Sequence, residues 1–545
     1  MVDKLNSKTK ILIVTGGVFS SLGKGVACSS LGALLKNYNQ KVTIMKFDPY
    51  LNVDAGTMSP GQHGEVYVTQ DGGETDLDIG NYERFLNIDL TIDNNLTAGK
   101  VCYETIKKER NGEYLGSTIQ VIPHITNTII SKIVAMANKD EPDFLIIEVG
   151  GTVGDIESEP FLEVTRQLQV KYRSQFMVIH TVPIISLLIN QEIKTKPLQH
   201  SVKTLMSYGI FPNLLLVRSQ NELPNKIKDK ISWTTGIETS NIFSLMNLNP
   251  IYLMPQSLEA QNIQQVIFDY FNMKNVVRTG FKHWDKFIEC ITKPKKYIAN
   301  IAIVGKYLDA SDTYLSIYSS LEIAAIYLNC DLKTEFIDSQ SINEDNVKIL
   351  DEFDGIIVPG GFGRRGVEGK ICAIKYAREN KKPFFGICLG MQLSLVEYAR
   401  NVLNLKDANS TEFDENTTNP IITILAGKDK DINLGGTLRL GNYSCMLKQD
   451  SLAKRIYKQD KIVERHRHRY EFNPKYLDAF ANTDMVLSGI NNDNGLVEIV
   501  ELNNHPFFIA TQFHPEFTTK ILSPNLIFYN FLNTVKKLKP ENEQK

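Results

Sequence analysis

Residues 11–25 read Ile11-Leu12-Ile13-Val14-Thr15-Gly16-Gly17-Val18-Phe19-Ser20-Ser21-Leu22-Gly23-Lys24-Gly25. An apolar run, a glycine-rich turn and a helix-length segment from Lys24 to Leu35 describe the strand, loop and helix that open a parallel α/β domain. Val26, Leu31, Leu34 and Leu35 supply that helix with a sheet-facing side. The turn is close to a phosphate-binding loop. That pattern sets four residues between its first glycine and Gly-Lys, then adds a Ser or Thr whose hydroxyl reaches Mg²⁺. Here five residues separate Gly17 from Gly23, and Gly25 stands where the hydroxyl belongs. Lys24 and the glycine N–H groups at a helix N-terminus suit phosphate, so metal ligands must come from elsewhere. Acidic candidates are the run Asp71-Gly72-Gly73-Glu74-Thr75-Asp76-Leu77-Asp78 and Glu148. Glu148 ends an otherwise apolar strand, where the ligand crevice of a doubly wound sheet lies.

The same rhythm continues along the chain. KVTIMKF, FLIIEVGG, FMVIHTV and LLLVRS are further buried-strand candidates in the first half. Around 272–298 the pattern weakens into a segment with Trp284 and a basic, Pro-containing end, which reads as a linker with some helix. IANIAIVGKY restarts the alternation. A helix over 315–327, the strand DGIIVPGG, a helix over 368–378, the strand PFFGI and a helix over 389–401 follow. The expected fold is α/β, with two doubly wound, mainly parallel-sheet domains. The first spans 1–272, a linker 273–298, and the second 299–541.

At 545 residues the chain exceeds what one core supports. A net charge of -2 argues against a general nucleic-acid binder. Seven scattered cysteines, with no CxxC pair, read as reduced thiols of a cytoplasmic protein. The longest greasy stretch, 176–189, holds His180 and Pro183 and is too short to span a bilayer, so no membrane partner is expected.

In the second half, Gly386-Ile387-Cys388-Leu389-Gly390 follows a predicted strand and opens a predicted helix. Flanking glycines permit the sharp turn of a nucleophile elbow, and a helix N-terminus activates a thiol. His514 and Glu516, two apart in Gln512-Phe513-His514-Pro515-Glu516, can share one face of an extended segment. The carboxylate then fixes the imidazole and His514 takes the thiol proton. Pro359-Gly360-Gly361-Phe362-Gly363 offers backbone N–H groups to a tetrahedral intermediate.

VPGGFG, FGICLGMQ and QFHPEF resemble the class I glutamine amidotransferase family over roughly 299–541. The resemblance implies hydrolysis of glutamine to glutamate and ammonia through a thioester on Cys388. It also implies glutamine contacts from Gly361, Leu389, Gly390, Met391, Gln392, Glu412 and Arg469. Arg469 closes the basic run Arg465-His466-Arg467-His468-Arg469, and a guanidinium grips a carboxylate bidentately.

Coupling ammonia to an acceptor requires activating the acceptor, commonly by ATP and Mg²⁺. VTGGVFSSLGKG, KFDPYLNVDAGTMSPGQHGEVYVTQDGGETDLDIGNYERF, YLGSTIQVIPHITN, EVGGTVGDIES and KTKPLQHSVK resemble the CTP synthase family across essentially the whole chain. The resemblance implies that ATP phosphorylates O4 of UTP, that ammonia from glutamine displaces phosphate at C4, and that ammonia travels by an internal channel. ATP contacts then fall to Ser21, Leu22, Gly23, Lys24, Gly25, Val26, Asp78, Met246, Asn247 and Leu248, and Mg²⁺ to Asp78 and Glu148. Pyrimidine nucleotide contacts fall to Ser20, to Asp155, Ile156 and Glu157 on the CTP side, to Lys194, Thr195, Lys196, Pro197, Leu198 and Gln199, and to Lys230. CTP as feedback inhibitor, GTP as activator, and a homotetramer that stacks into filaments are further family implications. One departure stands out: between NPIITILAG and LGGTLRLG the chain has only KDKDIN, shorter than the family's lid, which is implicated in GTP activation. A different ATP-dependent amidoligase with a fused glutaminase is the alternative reading.

Overall fold

The computed structural model describes residues 4–139, 141–186, 193–280, 282–306, 312–424 and 438–539. The chain forms two units, 1–55 with 78–288 and 56–77 with 289–545.

The first unit is built on seven strands: β1 (Lys10–Gly16), β2 (Val42–Asp48), β3 (Asn95–Thr97), β4 (Phe144–Val149), β5 (Phe176–Pro183), β6 (Leu214–Ser219) and β7 (Ile242–Met246). They order as β7-β6-β5-β1-β4-β2-β3, all parallel. Every residue of β4 and β5 is buried, as in a sheet covered on both faces, which is why these strands read as continuous apolar runs. β1 lies between β4 and β5, so the loop after it emerges at the carboxyl edge in the middle of the sheet. Helix α1 (Lys24–Asn37) follows that loop and α2 (Asp78–Leu86) opens on the chain's return from 56–77. Helix α3 (Lys196–Ser207) is pinned beneath the β1 loop through His180, whose ring nitrogens lie 2.9 Å from the Thr15 and Ser201 hydroxyls. Burial, with Lys24 nearby, depresses the His180 imidazole to about 3, so it serves as a neutral hydrogen-bonding strut. The linker region carries a helix, α4 (Lys282–Thr292), whose Trp284 and Phe287 are buried against Phe85 and Tyr252.

The second unit holds nine strands: β8 (Tyr297–Gly305), β9 (Cys330–Asp338), β10 (Gly355–Val358), β11 (Phe384–Ile387), β12 (Arg439–Leu447), β13 (Lys461–His468), β14 (Met485–Ile490), β15 (Val497–Leu502) and β16 (Phe508–Thr511). Their order is β9-β8-β10-β11-β16-β15-β14-β12-β13. The α/β expectation holds: β9 to β16 pair in parallel, with helices α5 (Leu315–Leu328), α6 (Val367–Glu379) and α7 (Leu389–Asn401) between strands. Beyond β16 the sheet continues antiparallel to β13. No helix among the described residues is long and apolar enough to cross a membrane.

Residues 56–77 belong with this second unit, although the sequence reading assigns them to the first domain. A short ribbon there, Tyr67–Val68 against Glu74–Thr75, is held by alternate side chains of β13. Arg465 donates to Tyr67 Oη at 3.0 Å and to the Val68 carbonyl at 3.1 Å, and Arg467 donates to Glu74 Oε1 at 2.9 Å. His466 and His468 are fully buried and bonded to each other at 2.8 Å, Nδ1 to Nε2. The two-residue period of a strand thus separates the Arg and His members of the basic run.

Beside those histidines, Arg439 donates to Glu498 at 2.7 Å and Glu471 at 3.3 Å, all three buried. Burial lifts the Glu471 carboxyl to about 8, despite Arg439. Removing one member of such a set strands the others, so Arg439→Met should lower stability by about 3–5 kcal/mol. Urea unfolding followed by far-ultraviolet circular dichroism checks this.

Candidate active sites

In the first unit the turn after β1 leads into α1 through Gly23 at φ 84°, a left-handed conformation suited to glycine. Ser20 and Ser21 are exposed on this turn, Leu22 is buried beneath it, and the Arg218 guanidinium lies against Gly23. Lys24 is folded back, its Nζ donating to the Gly151 carbonyl in the loop after β4. Burial lowers its pKa, partly countered by Glu148.

The strand register sets Lys46 of β2 opposite Glu148 of β4. Lys46 Nζ donates to Glu148 Oε1 at 2.8 Å and also to Asp78 Oδ2. Tyr82 donates to the second oxygen of Glu148. Burial raises the Glu148 pKa, against the pull of Lys46. Burial opposes ionisation of Asp78 too, but there Lys46 and Lys24 outweigh it and hold the carboxyl below its usual range. A Cβ on Gly25 would collide with the Asp78 carboxylate. The position where a phosphate loop carries its hydroxyl is therefore occupied by an acid delivered from α2. A buried and a partly buried carboxylate sharing one cation form a donor set that suits Mg²⁺, which takes one or two carboxylates and completes its shell with phosphate and water.

The structure brings Lys24, Gly25, Asp78 and Glu148 together, and the other expected nucleotide contacts lie on other segments of the same unit. Asp155, Ile156 and Glu157 are exposed in the loop after β4, and neighbouring Gly154 lies against Thr204 of α3. Lys194 and Lys196 flank buried Thr195 at the start of α3, which also carries Pro197 and buried Leu198. Gln199 turns inward to Thr195 Oγ1 at 3.0 Å. Met246 ends β7, and Asn247 and Leu248 follow it. Lys230 is exposed on the helix Asn225–Thr235, apart from the charge cluster. Of the acidic run 71–78, Asp78 shares Lys46 with Glu148, and 71–77 belong to the second unit.

In the second unit Cys388 sits between β11 and α7 at φ 52°, ψ -102°, a conformation that a non-glycine residue holds only under constraint. Its N–H donates to Thr511 O at 2.6 Å. Gly390 lies so close to the Val358 carbonyl that a Cβ would not fit. His514 Nδ1 meets Glu516 Oε1 at 2.7 Å, and the ring stacks on Phe517 with centroids 5.1 Å apart. Nε2 of His514 has no hydrogen-bond partner among the described residues. Both the His514 ring and Cys388 Cβ lie against Gly360. Burial disfavours a charged imidazole, but Glu516 and Cys388 outweigh it and push His514 up to about 10.

The glycine loop after β10 is held at several points. Gly363 N–H donates to Glu412 at 2.6 Å, and Lys306 donates to the Phe362 carbonyl and, at 3.0 Å, to that of Gly363. Beneath it lies fully buried Lys370, which burial and then Lys306 pull down to about 7. A cavity of about 570 Å³ joins Cys388, His514, Gly361, Glu412 and Arg469 with residues 56–60. The expected contacts Leu389, Gly390, Met391 and Gln392 lie buried in the first turn of α7 and do not line it. The KDKDIN segment lies outside the described residues.

A family profile for the CTP synthase N-terminus matches residues 10–273, and one for class-I glutamine amidotransferase matches 309–534. The CTP synthase of Phytoplasma australiense is 50% identical over 529 residues, 96% of each chain. The chain belongs to the CTP synthase family. The CTP synthase of Hydrogenobaculum sp. (strain Y04AAS1) is 49% identical over 538 residues, 98% of this chain and 99% of its own. A solved glutaminase domain of Trypanosoma brucei CTPS with bound acivicin is 37% identical, covering 44% of this chain and 95% of that one, at a TM-score of 0.42.

Sequence reading of this CTP synthase family member passed over Lys46, Asp48 and Tyr82. Asp48 is buried with Asn95 Nδ2 at 2.6 Å, and burial raises its pKa. The signal was present: Lys46 and Asp48 end an apolar strand, the same anomaly that marks Glu148.

Two outcomes are expected. Gly25→Ser forces the Asp78 carboxylate aside, costing about 1–3 kcal/mol of stability; thermal unfolding measures it. His514 gains its proton affinity on folding, so its contribution to stability is complete below the unfolded imidazole pKa of about 6.5 and is lost as pH rises towards 10. Thermal midpoints across that window should fall less steeply in Glu516→Gln than in the wild type.

Proposed function

We propose that the protein makes CTP from UTP, ATP and glutamine. The observation that carries this reading is the presence, in one chain, of the Cys388-His514-Glu516 constellation and of a phosphate loop backed by Asp78, Glu148 and Lys46. In the second unit His514 takes the Cys388 proton and the thiolate attacks the side-chain carbonyl of glutamine. The oxyanion is met by backbone N–H groups of the 360–361 loop and of Leu389, the residue after the nucleophile. His514 returns the proton to the leaving amide nitrogen as ammonia forms, and water then releases glutamate from the thioester. Arg469 suits the substrate carboxylate and Glu412 its ammonium group.

In the first unit Lys24 and the Ser21 to Val26 turn hold ATP phosphates, with Met246 to Leu248 at the adenine. Asp78 and Glu148 would hold Mg²⁺, which when bound screens phosphate charge as the phosphoryl group transfers. The γ-phosphoryl passes to O4 of UTP, ammonia adds at C4, and phosphate leaves to give CTP. Ser20, Lys194 to Gln199 and Lys230 serve the pyrimidine nucleotide, with Asp155 to Glu157 on the CTP side. Ammonia reaches UTP by an internal channel. Feedback by CTP, activation by GTP, a cytoplasmic homotetramer and filaments are carried over from the family.

CTP formation from UTP and ATP, supplied with either glutamine or ammonium, tests the reading. Cys388→Ala should lose at least about a thousandfold of glutamine-dependent synthesis and keep the ammonium-dependent reaction. Lys24→Ala should hydrolyse glutamine yet make no CTP. A folded Cys388→Ala protein that loses both syntheses would sink the two-site reading, and ATP hydrolysis indifferent to UTP would favour a different amidoligase.

A further inference from the structure

Gln512 is fully buried where β16 runs on towards His514, its own N–H bonded to the Glu498 carbonyl at 2.8 Å. Its side chain lies 3.7 Å, Nε2 to Sγ, from Cys388. An amide can be turned either way, and here a chain of bonds decides the orientation. The Tyr470 carbonyl can only accept, and Gln392 Nε2 donates to it at 2.9 Å. The same nitrogen lies 3.2 Å from Gln512 Oε1, which must therefore be the acceptor. Gln512 is left with its N–H group facing the sulfur.

Cys388 Sγ also lies 3.8 Å from the Arg467 carbonyl, an acceptor that suits a thiol S–H, and the titratable groups that face it are His514 and buried Lys370. A carbonyl repels a thiolate, whereas an amide N–H stabilises one. We propose that Gln512 is a positioning residue of the glutaminase site: oriented by Gln392 from the Tyr470 carbonyl, it holds the Cys388 sulfur and favours its anionic form. The relay gives Gln392 a role in addition to the glutamine contact that family resemblance implies.

The proposal rests on the glutaminase reading above, so its test needs a readout free of glutamine. The pH profile of iodoacetamide alkylation at Cys388, followed by mass spectrometry of the peptide that contains it, provides one in the full-length protein. Gln512→Leu removes the donor at similar size, and Gln512→Glu replaces it with an oxygen. In both, the midpoint of the profile should move up by about one pH unit, with alkylation at neutral pH slowed about tenfold. Glutamine turnover should show kcat reduced about tenfold with KM little changed. A Gln512→Leu profile that superimposes on the wild type overturns the proposal. Should neither Gln512 variant fold, Gln392→Met carries the test: a smaller upward movement is expected, and an unchanged profile overturns it. A wild-type protein that alkylates normally but does not hydrolyse glutamine would defeat the glutaminase reading instead, while the profiles still decide the role of Gln512.

Discussion

One ammonium, that of Lys46, is shared by two carboxylates, Glu148 fully buried and Asp78 partly buried. An unpaired buried carboxylate costs several kcal/mol, and the fold meets that constraint through strand register. β2 and β4 pair so that Lys46 and Glu148 are opposed at the carboxyl ends of their strands. Asp78 then completes the set from the first turn of α2, where the helix dipole also favours a negative charge. Four elements are fixed by this cluster, because Gly25 of α1 must lie against Asp78 without a side chain. The same arrangement keeps two acids converged on the space behind the phosphate loop. On the function proposed here, Asp78 and Glu148 would hold the divalent cation that accompanies ATP, with Lys46 beside them.

The second unit places its charges differently, because its chemistry needs a reactive thiol. Cys388 is held in a strained conformation by the backbone bond to Thr511 and by close packing of Gly390 on β10. The parallel half of the sheet thus supplies the nucleophile, while the chain leaving β16 supplies His514 and Glu516. The antiparallel half contributes β13, whose arginines retain the excursion 56–77 on one side and whose histidines fill the interior on the other. Neutral His466 and His468, whose pKa values burial depresses, leave Arg439 as the cation shared by Glu471 and Glu498. His514, by contrast, gains proton affinity from Glu516 and Cys388, which makes it the base beside the thiol.

Much of this was legible in the sequence wherever the physical cause is local. Buried parallel strands must be apolar throughout, so ILIV, FLIIEV and FMVIHTV mark the first sheet, and the glycines around Cys388 mark the elbow. His514 and Glu516 are two residues apart, and their 2.7 Å bond follows from that spacing. What escaped reading depends on partners distant in sequence. Nothing within 56–77 indicates that Arg465 and Arg467, some four hundred residues on, will draw it into the second unit. Gln512 resembles any buried amide until Gln392 and Tyr470 are placed beside it. Lys46 was readable in principle, since a lysine inside an apolar strand requires a partner, yet its partner appears only once the register is known.

The altered phosphate loop follows from the same logic. A Ser or Thr at position 25 would bring its own hydroxyl to the metal, but its Cβ would occupy the space of the Asp78 carboxylate. The two solutions exclude each other sterically. A carboxylate delivered by a separate helix carries full negative charge, where a hydroxyl offers only a dipole, and it needs a countercharge when no nucleotide is bound. Lys46 supplies that countercharge. The loop can therefore give up its hydroxyl only in a fold that also provides the β2 lysine and the α2 acid, so Gly25, Lys46 and Asp78 are one device spread over three elements. Substituting Gly25 alone brings a collision and substituting Lys46 alone strips two acids of their cation, whereas loss of Asp78 leaves the Lys46–Glu148 pair but no acid beside Gly25.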